Sequence, residues 1–237
     1  MATYVTSDLH GMSLARFLAL LDRAHFTDDD LLFILGDVVD REGDGGVGIL
    51  KWLLCAKNAY FLLGNHEECL LACEFAFEEV TESAIDAMTG EMLETLLTYS
   101  REGGDVTLAA LRQVAKEDPE TLREIFDYLK DAPLWDEVEA GGRTYVLCHA
   151  GLGGFSPEKE LSDYTVDELL WFRPSGRETY FPDKTVVFGH TPTALLGARG
   201  GDVLFGEGFI GIDVGVASGK RAVLLRLDDL AVFREEE

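Results

Sequence analysis

Acids, amides and imidazoles recur in short glycine-containing clusters along this sequence. They read Asp8-Leu9-His10-Gly11, Gly36-Asp37-Val38-Val39-Asp40-Arg41, Gly64-Asn65-His66-Glu67, His149-Ala150-Gly151 and Gly189-His190-Thr191-Pro192. Four of the five histidines lie inside them. Asp8 and His10 are two residues apart, so in an extended turn both side chains point to one side. A glycine directly before Asp37, Asn65 and His190 lets the backbone turn sharply and bring its loop close to a metal ion or a phosphate. Carboxylate, amide and imidazole donors without a thiolate suit Mn2+, Fe or Zn2+ rather than a structural zinc site. A lone Asp-x-His is ordinarily structural. Five such motifs in succession are a strong signal.

These clusters need elements that deliver them to one place. Tyr4 to Ser7, Leu31 to Leu35 and Tyr60 to Leu63 read as strands, with an amphipathic helix from Ser13 to Ala24 and another from Val47 to Ala56. Each strand ends in a polar cluster, the position where ligands bind in open α/β sheets. From Cys69 to about residue 131 the pattern turns to successive helices. Asp118 and Pro119 form a cap and first turn there, with Leu122, Ile125, Phe126 and Leu129 on one apolar face. This stretch reads as a helical insertion at about 69–133 within a single domain spanning 1–237. Its acidic residues Glu74, Glu78, Glu79 and Glu82 are expected to face solvent. Strand character returns at Thr144 to Cys148, Thr185 to Phe188, Ile210 to Asp213 and Ala222 to Leu227, with a capping box from Thr165 to Glu168 before Trp171-Phe172-Arg173-Pro174.

Composition narrows the partners. The net charge of −24 repels polyanions, so extended nucleic-acid binding is not expected. A phosphorylated substrate would therefore need a site that makes its own positive field. No run of 18 apolar residues is present, and the first residues carry no basic and apolar export pattern, so a cytoplasmic protein without membrane contact is expected. Cys55, Cys69, Cys73 and Cys148 read as reduced core residues.

The five clusters, in their order and spacing, resemble the calcineurin-like metallophosphoesterases, and more narrowly the phosphoprotein (serine/threonine) phosphatase family with its bacterial and phage members. The resemblance covers residues 3 to about 227 and little of the helical stretch. It implies an α/β fold, a β-sandwich flanked by helices in α/β/β/α layers. It implies two divalent metal ions, Mn2+ first, with Fe or Zn2+ also compatible. Asp8, His10 and Asp37 would hold one ion. Asp37, Asn65, His149 and His190 would hold the other, and the shared carboxylate would set the ions about 3.5–4 Å apart. A hydroxide bridging them would attack phosphorus in line. His66 would be the general acid, oriented by Asp40, while Arg41 and Arg173 would grip the non-bridging oxygens. The charges counted over this set leave a net positive site suited to a monoester dianion.

The implied activity is phosphate monoester hydrolysis on a phosphorylated protein, at phosphoserine or phosphothreonine, or on a small phosphoester. The alternative is hydrolysis of a dinucleoside polyphosphate, such as diadenosine tetraphosphate, or of nucleotide-capped RNA ends. Asp40 favours the first, because the symmetrical tetraphosphatases typically carry a non-acidic residue there. A metal-binding module without catalysis is the third reading. One departure stands out: Glu42 occupies the place of the family's glycine after Asp-Arg, with Gly43 next, so Glu42 pairs with Arg41, narrows the site, or points to solvent with Gly43 taking over the turn. His25, Glu67 and Asp213 are read as structural. The sequence is silent on oligomeric state.

Overall fold

The computed structural model describes residues 1–78, 81 and 88–236. Short apolar segments form its strands. β1 (Thr3–Thr6), β2 (Leu31–Ile34) and β3 (Ala59–Phe61) pair in parallel. β9 (Val223–Arg226) runs antiparallel to β1, and β10 (Ala231–Arg234) antiparallel to β9, which gives the order β10-β9-β1-β2-β3. The second five-stranded sheet, in the order β4-β5-β6-β8-β7, holds parallel β5 (Arg143–Cys148), β6 (Lys184–Phe188) and β8 (Phe209–Gly211). Antiparallel β4 (Trp135–Ala140) and β7 (Leu204–Phe205) form its edges.

Alternation along β5 explains the layering. Tyr145 and Leu147 enter the main core with Val5, Leu32 and Ile34 of the first sheet, while Val146 and Cys148 enter a second cluster with Val186, Phe188 and Leu169. Helix α1 (Leu14–Arg23) lies against β9 and β10, and α2 (Val47–Leu53) against β3. Ser13 caps α1, accepting from the Arg16 N–H, and Phe17, Leu20 and Leu21 form its buried stripe. Two mixed sheets with helices on their outer faces are the α/β arrangement expected above.

Between β3 and β4 in the chain come α3 (Asn65–Ala72), α4 (Gly90–Tyr99), a π-type turn over Ser100–Gly104, α5 (Asp105–Glu117) and α6 (Pro119–Lys130). The expected cap is present, with the Asp118 side chain accepting from the Thr121 N–H, and Leu122, Ile125, Phe126 and Leu129 are buried. Leu108, Leu111 and Val114 of α5 join the main core. Of the acidic residues expected at the surface, Glu78 is exposed and half-buried Glu74 pairs with Lys130 at 2.7 Å. Glu79 and Glu82 lie outside the described residues. Further on, α7 (Val166–Leu170) starts at the expected box of Thr165 and Glu168.

Topology aims the chemistry. Three parallel strands of each sheet end toward a common edge, and the loops leaving them carry Asp8 to Gly11, Gly36 to Arg41 and Gly64 to Glu67 from one sheet, and His149, His190 and Asp213 from the other. The four cysteines are free; Cys73 and Cys148 are buried, but Cys55 is exposed and so is not a core residue. No helix among the described residues is long and apolar enough to cross a membrane.

Candidate metal centre

Backbone hydrogen bonds lace the loops together before any side chain is considered. Asp8 N–H donates to Gly36 O at 3.1 Å, His10 N–H to Asp37 O at 3.0 Å, and Gly189 N–H to His149 O at 2.8 Å. The sheets are joined by His190 N–H, 3.0 Å from both carboxylate oxygens of Asp8. Space is tight enough that a Cβ on Gly189 would lie 2.1 Å from Asp8 Oδ2, and one on Gly64 2.4 Å from Asp37 Oδ1. Glycine is needed at these positions for close approach. Asp8, His10, Asp37, Asp40, Arg41 and His190 all adopt positive φ, from 40° to 77°, and such concentrated backbone strain is characteristic of functional loops.

Asp37 stands at the centre. Its Oδ2 lies 3.9 Å from His10 Nε2, which is also 4.0 Å from Asp8 Oδ1. Its Oδ1 lies 3.5 Å from His149 Nε2 and accepts from the His66 N–H at 3.0 Å. Asn65 Oδ1 sits 2.9 Å from His149 Nε2 and 2.8 Å from His190 Nδ1. Two groups able to hold a cation result, His10–Asp37–His66 and Asp37–His149–His190, with Asp37 in both. One carboxylate thus faces two sets of donors. All six residues expected as ligands converge here and are buried.

The donor chemistry fits divalent cations. His149 Nδ1 donates to Leu35 O at 2.7 Å, so in the neutral ring Nε2 carries the lone pair and faces Asn65 Oδ1, another acceptor. Two acceptors at 2.9 Å repel unless a cation or proton stands between them. His10 Nδ1 and His190 Nε2 are buried without a hydrogen-bond partner. Burial pushes the His10 pKa down to about 4 and, with the nearby His149, that of His190 to about 3, so both rings stay neutral and able to ligate. Burial raises Asp8 well above the usual carboxylate range, helped by Asp213 and Asp37. At Asp37 burial is outweighed by His149, His66 and His10, which hold it below that range.

His66 is engaged at both nitrogens. Its Nδ1 is 2.6 Å from Asp40 Oδ2, and its Nε2 is 3.2 Å from an Arg41 terminal nitrogen. Burial opposes the charged ring, but the Asp40 hydrogen bond and the charges of Asp37, Asp40 and Glu67 outweigh it and raise the pKa. The same ring lies in one of the two groups able to hold a cation. On the other side, an Arg173 terminal nitrogen is 3.4 Å from His190 O, and the Trp171 ring stands edge-on to His190 at 6.5 Å. Glu42 turns outward to Arg16 at 2.9 Å, and Gly43 takes the next positive φ, 61°. The departure from the family pattern is absorbed at the surface.

Two acids deserve more weight than the sequence suggested. Glu67, fully buried, accepts from four backbone donors: Asp37, Val38, Val39 and Gly64. It thereby holds the Asp37 loop against the Asn65 turn. Burial and the Asp37 charge still push its pKa up to about 7. Asp213, buried near Asp8, is pushed up to about 6, mainly by burial and the Asp37 charge, so the positive balance counted from sequence omitted an acid.

A pH dependence follows for cation-free protein. Glu67 and His66 both have folded pKa values above their unfolded ones, so their stabilisation is lost as pH rises through the folded values. His10 and His190 are depressed, and their stabilisation is lost as pH falls below about 6.5. Asp8 and Asp213 are raised as well, so chelated protein should lose stability as pH rises, with Glu67 contributing a loss of about 1 kcal/mol between pH 6.5 and 8. Denaturant melts at the two pH values check this, and added Mn2+ should reverse the loss at pH 8.

The family model for calcineurin-like phosphoesterases matches residues 1–216. The chain belongs to this family. As a calcineurin-like phosphoesterase, it is 27% identical over 279 aligned positions to a symmetrical bis(5'-nucleosyl)-tetraphosphatase of Aliivibrio fischeri, with 100% of this chain and 98% of the relative covered. A protein of the same name from Erwinia tasmaniensis is 25% identical over 282 positions, with 98% and 96% covered. The fold is shared with a solved structure provisionally assigned as a diadenosine tetraphosphatase (TM-score 0.64, 20% identity, 98% and 91% covered). It is shared too with a protein serine/threonine phosphatase from Saccharomyces cerevisiae (TM-score 0.57, 15% identity, 100% and 80% covered).

Proposed function

We propose that this phosphoesterase hydrolyses dinucleoside polyphosphates such as diadenosine tetraphosphate, using two divalent cations, with Mn2+ the first candidate. The observation that carries hydrolysis is Asp37, one carboxylate facing two sets of ligand atoms. End-to-end similarity to symmetrical tetraphosphatases supports the substrate class. Asp8, His10 and Asp37 would hold one cation, and Asp37, Asn65, His149 and His190 the other. When bound, such a pair supplies Lewis acidity and water of near-neutral pKa.

The chain's own groups do the rest. Glu67 keeps the Asp37 loop in register. Arg41 and Arg173 bind non-bridging phosphate oxygens with their planar forks. In the substrate-free protein Arg41 covers His66 Nε2. A phosphate anion draws the guanidinium away and leaves that nitrogen free to carry a proton. His66, held by Asp40 through Nδ1, then delivers it to the leaving oxygen.

A second reading, phosphoserine or phosphothreonine monoester hydrolysis, is favoured by the 2.6 Å pairing of His66 with Asp40, because an alkoxide leaving group needs a proton more than a nucleotide does. Turnover of diadenosine tetraphosphate, a phosphopeptide and 4-nitrophenyl phosphate in Mn2+ separates them. We expect the tetraphosphate to be preferred by about tenfold or more in kcat/KM, about 1.4 kcal/mol, with ADP as the product. Preference for the phosphopeptide would reverse the assignment. No turnover of any of them would leave a cation-binding module.

A further inference from the structure

The helical stretch reaches into the site at one point. Asp40 is fully buried, and its carboxylate has two different faces. Oδ2 meets His66 Nδ1. Oδ1 accepts from the Tyr99 hydroxyl at 2.5 Å and from the Thr107 hydroxyl at 2.7 Å. Thr107 Oγ1 in turn accepts from the Asp40 N–H at 2.9 Å, and the next N–H, that of Arg41, donates to Gly103 O at 2.9 Å. Tyr99 and Thr107 are themselves buried, lying 59 and 67 residues from Asp40 at the end of α4 and the start of α5.

The turn they grip is strained. Asp40 and Arg41 have φ of 77° and 74°, a region that non-glycine residues avoid unless their surroundings hold them there. Gly104 makes the grip possible, since a Cβ there would lie 2.5 Å from the Tyr99 ring. Without these hydroxyls, Asp40 Oδ1 would be a buried acceptor without a partner, and the carboxylate could rotate about its χ2 and swing the imidazole with it.

We propose that Tyr99 and Thr107 are positioning residues that lock the Asp40 carboxylate, and through it His66, into the orientation needed to protonate a leaving group. The helical stretch is then a working part of the phosphoester site. The inference rests on the hydrolytic reading above but not on which phosphate compound is the substrate.

The test uses Tyr99→Phe and Thr107→Val, with Thr107→Ser as the variant that keeps a hydroxyl. Proton NMR of chelated protein should show a downfield, exchange-protected His66 Nδ1 proton, identified by its absence in His66→Asn. It should broaden or shift in Tyr99→Phe and Thr107→Val and return in Thr107→Ser. In the Mn2+-loaded enzyme, kcat for an alkyl phosphate should fall about 10–100-fold with KM nearly constant, and kcat for 4-nitrophenyl phosphate should change little. In an Asp40→Asn background the same changes should add almost nothing. An unchanged resonance in folded variants overturns the proposal, as does an equal loss on both substrates that persists with Asp40→Asn. If the wild type hydrolyses nothing, the hydrolytic reading fails, while the resonance still decides whether Tyr99 and Thr107 hold His66.

Discussion

Asp37→Asn should lower turnover by about 10³-fold or more and abolish the rise in melting temperature that Mn2+ gives the wild type. One side chain faces both sets of donors, so its loss should empty both positions at once. The amide keeps an oxygen for the His66 N–H, so the loop should survive. Removing the charge also relieves Asp8, Glu67 and Asp213, whose protons the Asp37 carboxylate holds on. Chelated Asp37→Asn gains from that relief but loses the favourable contact of the Asp37 charge with His149, His66 and His10, so the readout is the Mn2+-induced rise and not the melting point itself. Isothermal titration with Mn2+ beside thermal melts measures both halves. Retention of one tight site would mean the carboxylate is not shared.

The second large effect belongs to His66. His66→Asn should bind Mn2+ as the wild type does while losing about 10²–10⁴-fold in kcat on substrates with poor leaving groups. The loss should shrink on 4-nitrophenyl phosphate, whose leaving group needs little protonation. On diadenosine tetraphosphate an intermediate loss is expected, because ADP leaves more readily than a serine alkoxide. The three values together rank substrates by their demand for a proton. Uniform loss across all three would remove proton transfer from the role of His66, and full activity would remove His66 altogether.

Much of this site was legible because its information is local. Each ligand candidate follows an apolar strand within a glycine-bearing cluster, and parallel strands carry such clusters to one edge whatever the details of packing. What was not legible depends on contacts across long sequence separations. Nothing near Tyr99 or Thr107 distinguishes them from helix residues of an ordinary apolar face; their contact with Asp40 exists only in the folded chain. The closeness of Asp213 to Asp8 and Asp37 likewise arises only when the second sheet docks on the first. β4 escaped notice since Trp135 to Ala140 is rich in acids, which strands disfavour, and it survives as an edge paired to β5 along its length. The sequence leaves the course of Glu42 open, and the Arg16 ion pair on α1 turns it outward.

Curated relatives and the Asp40–His66 pair pull the substrate assignment in different directions. Geometry offers a reason why both can hold. A histidine paired with Asp40 at 2.6 Å, if it acts as the proposed acid, would serve an ester and do no harm to an anhydride. The substrate panel therefore speaks to specificity, and the metal pair speaks to the chemistry beneath it.

The most direct measurement is anomalous diffraction at the manganese edge from wild-type crystals soaked in Mn2+. Two peaks about 3.5–4 Å apart are predicted, with the Asp37 carboxylate between them, Asp8 and His10 on one, and Asn65, His149 and His190 on the other. A single peak, or a pair in which Asp37 touches only one ion, would contradict the account.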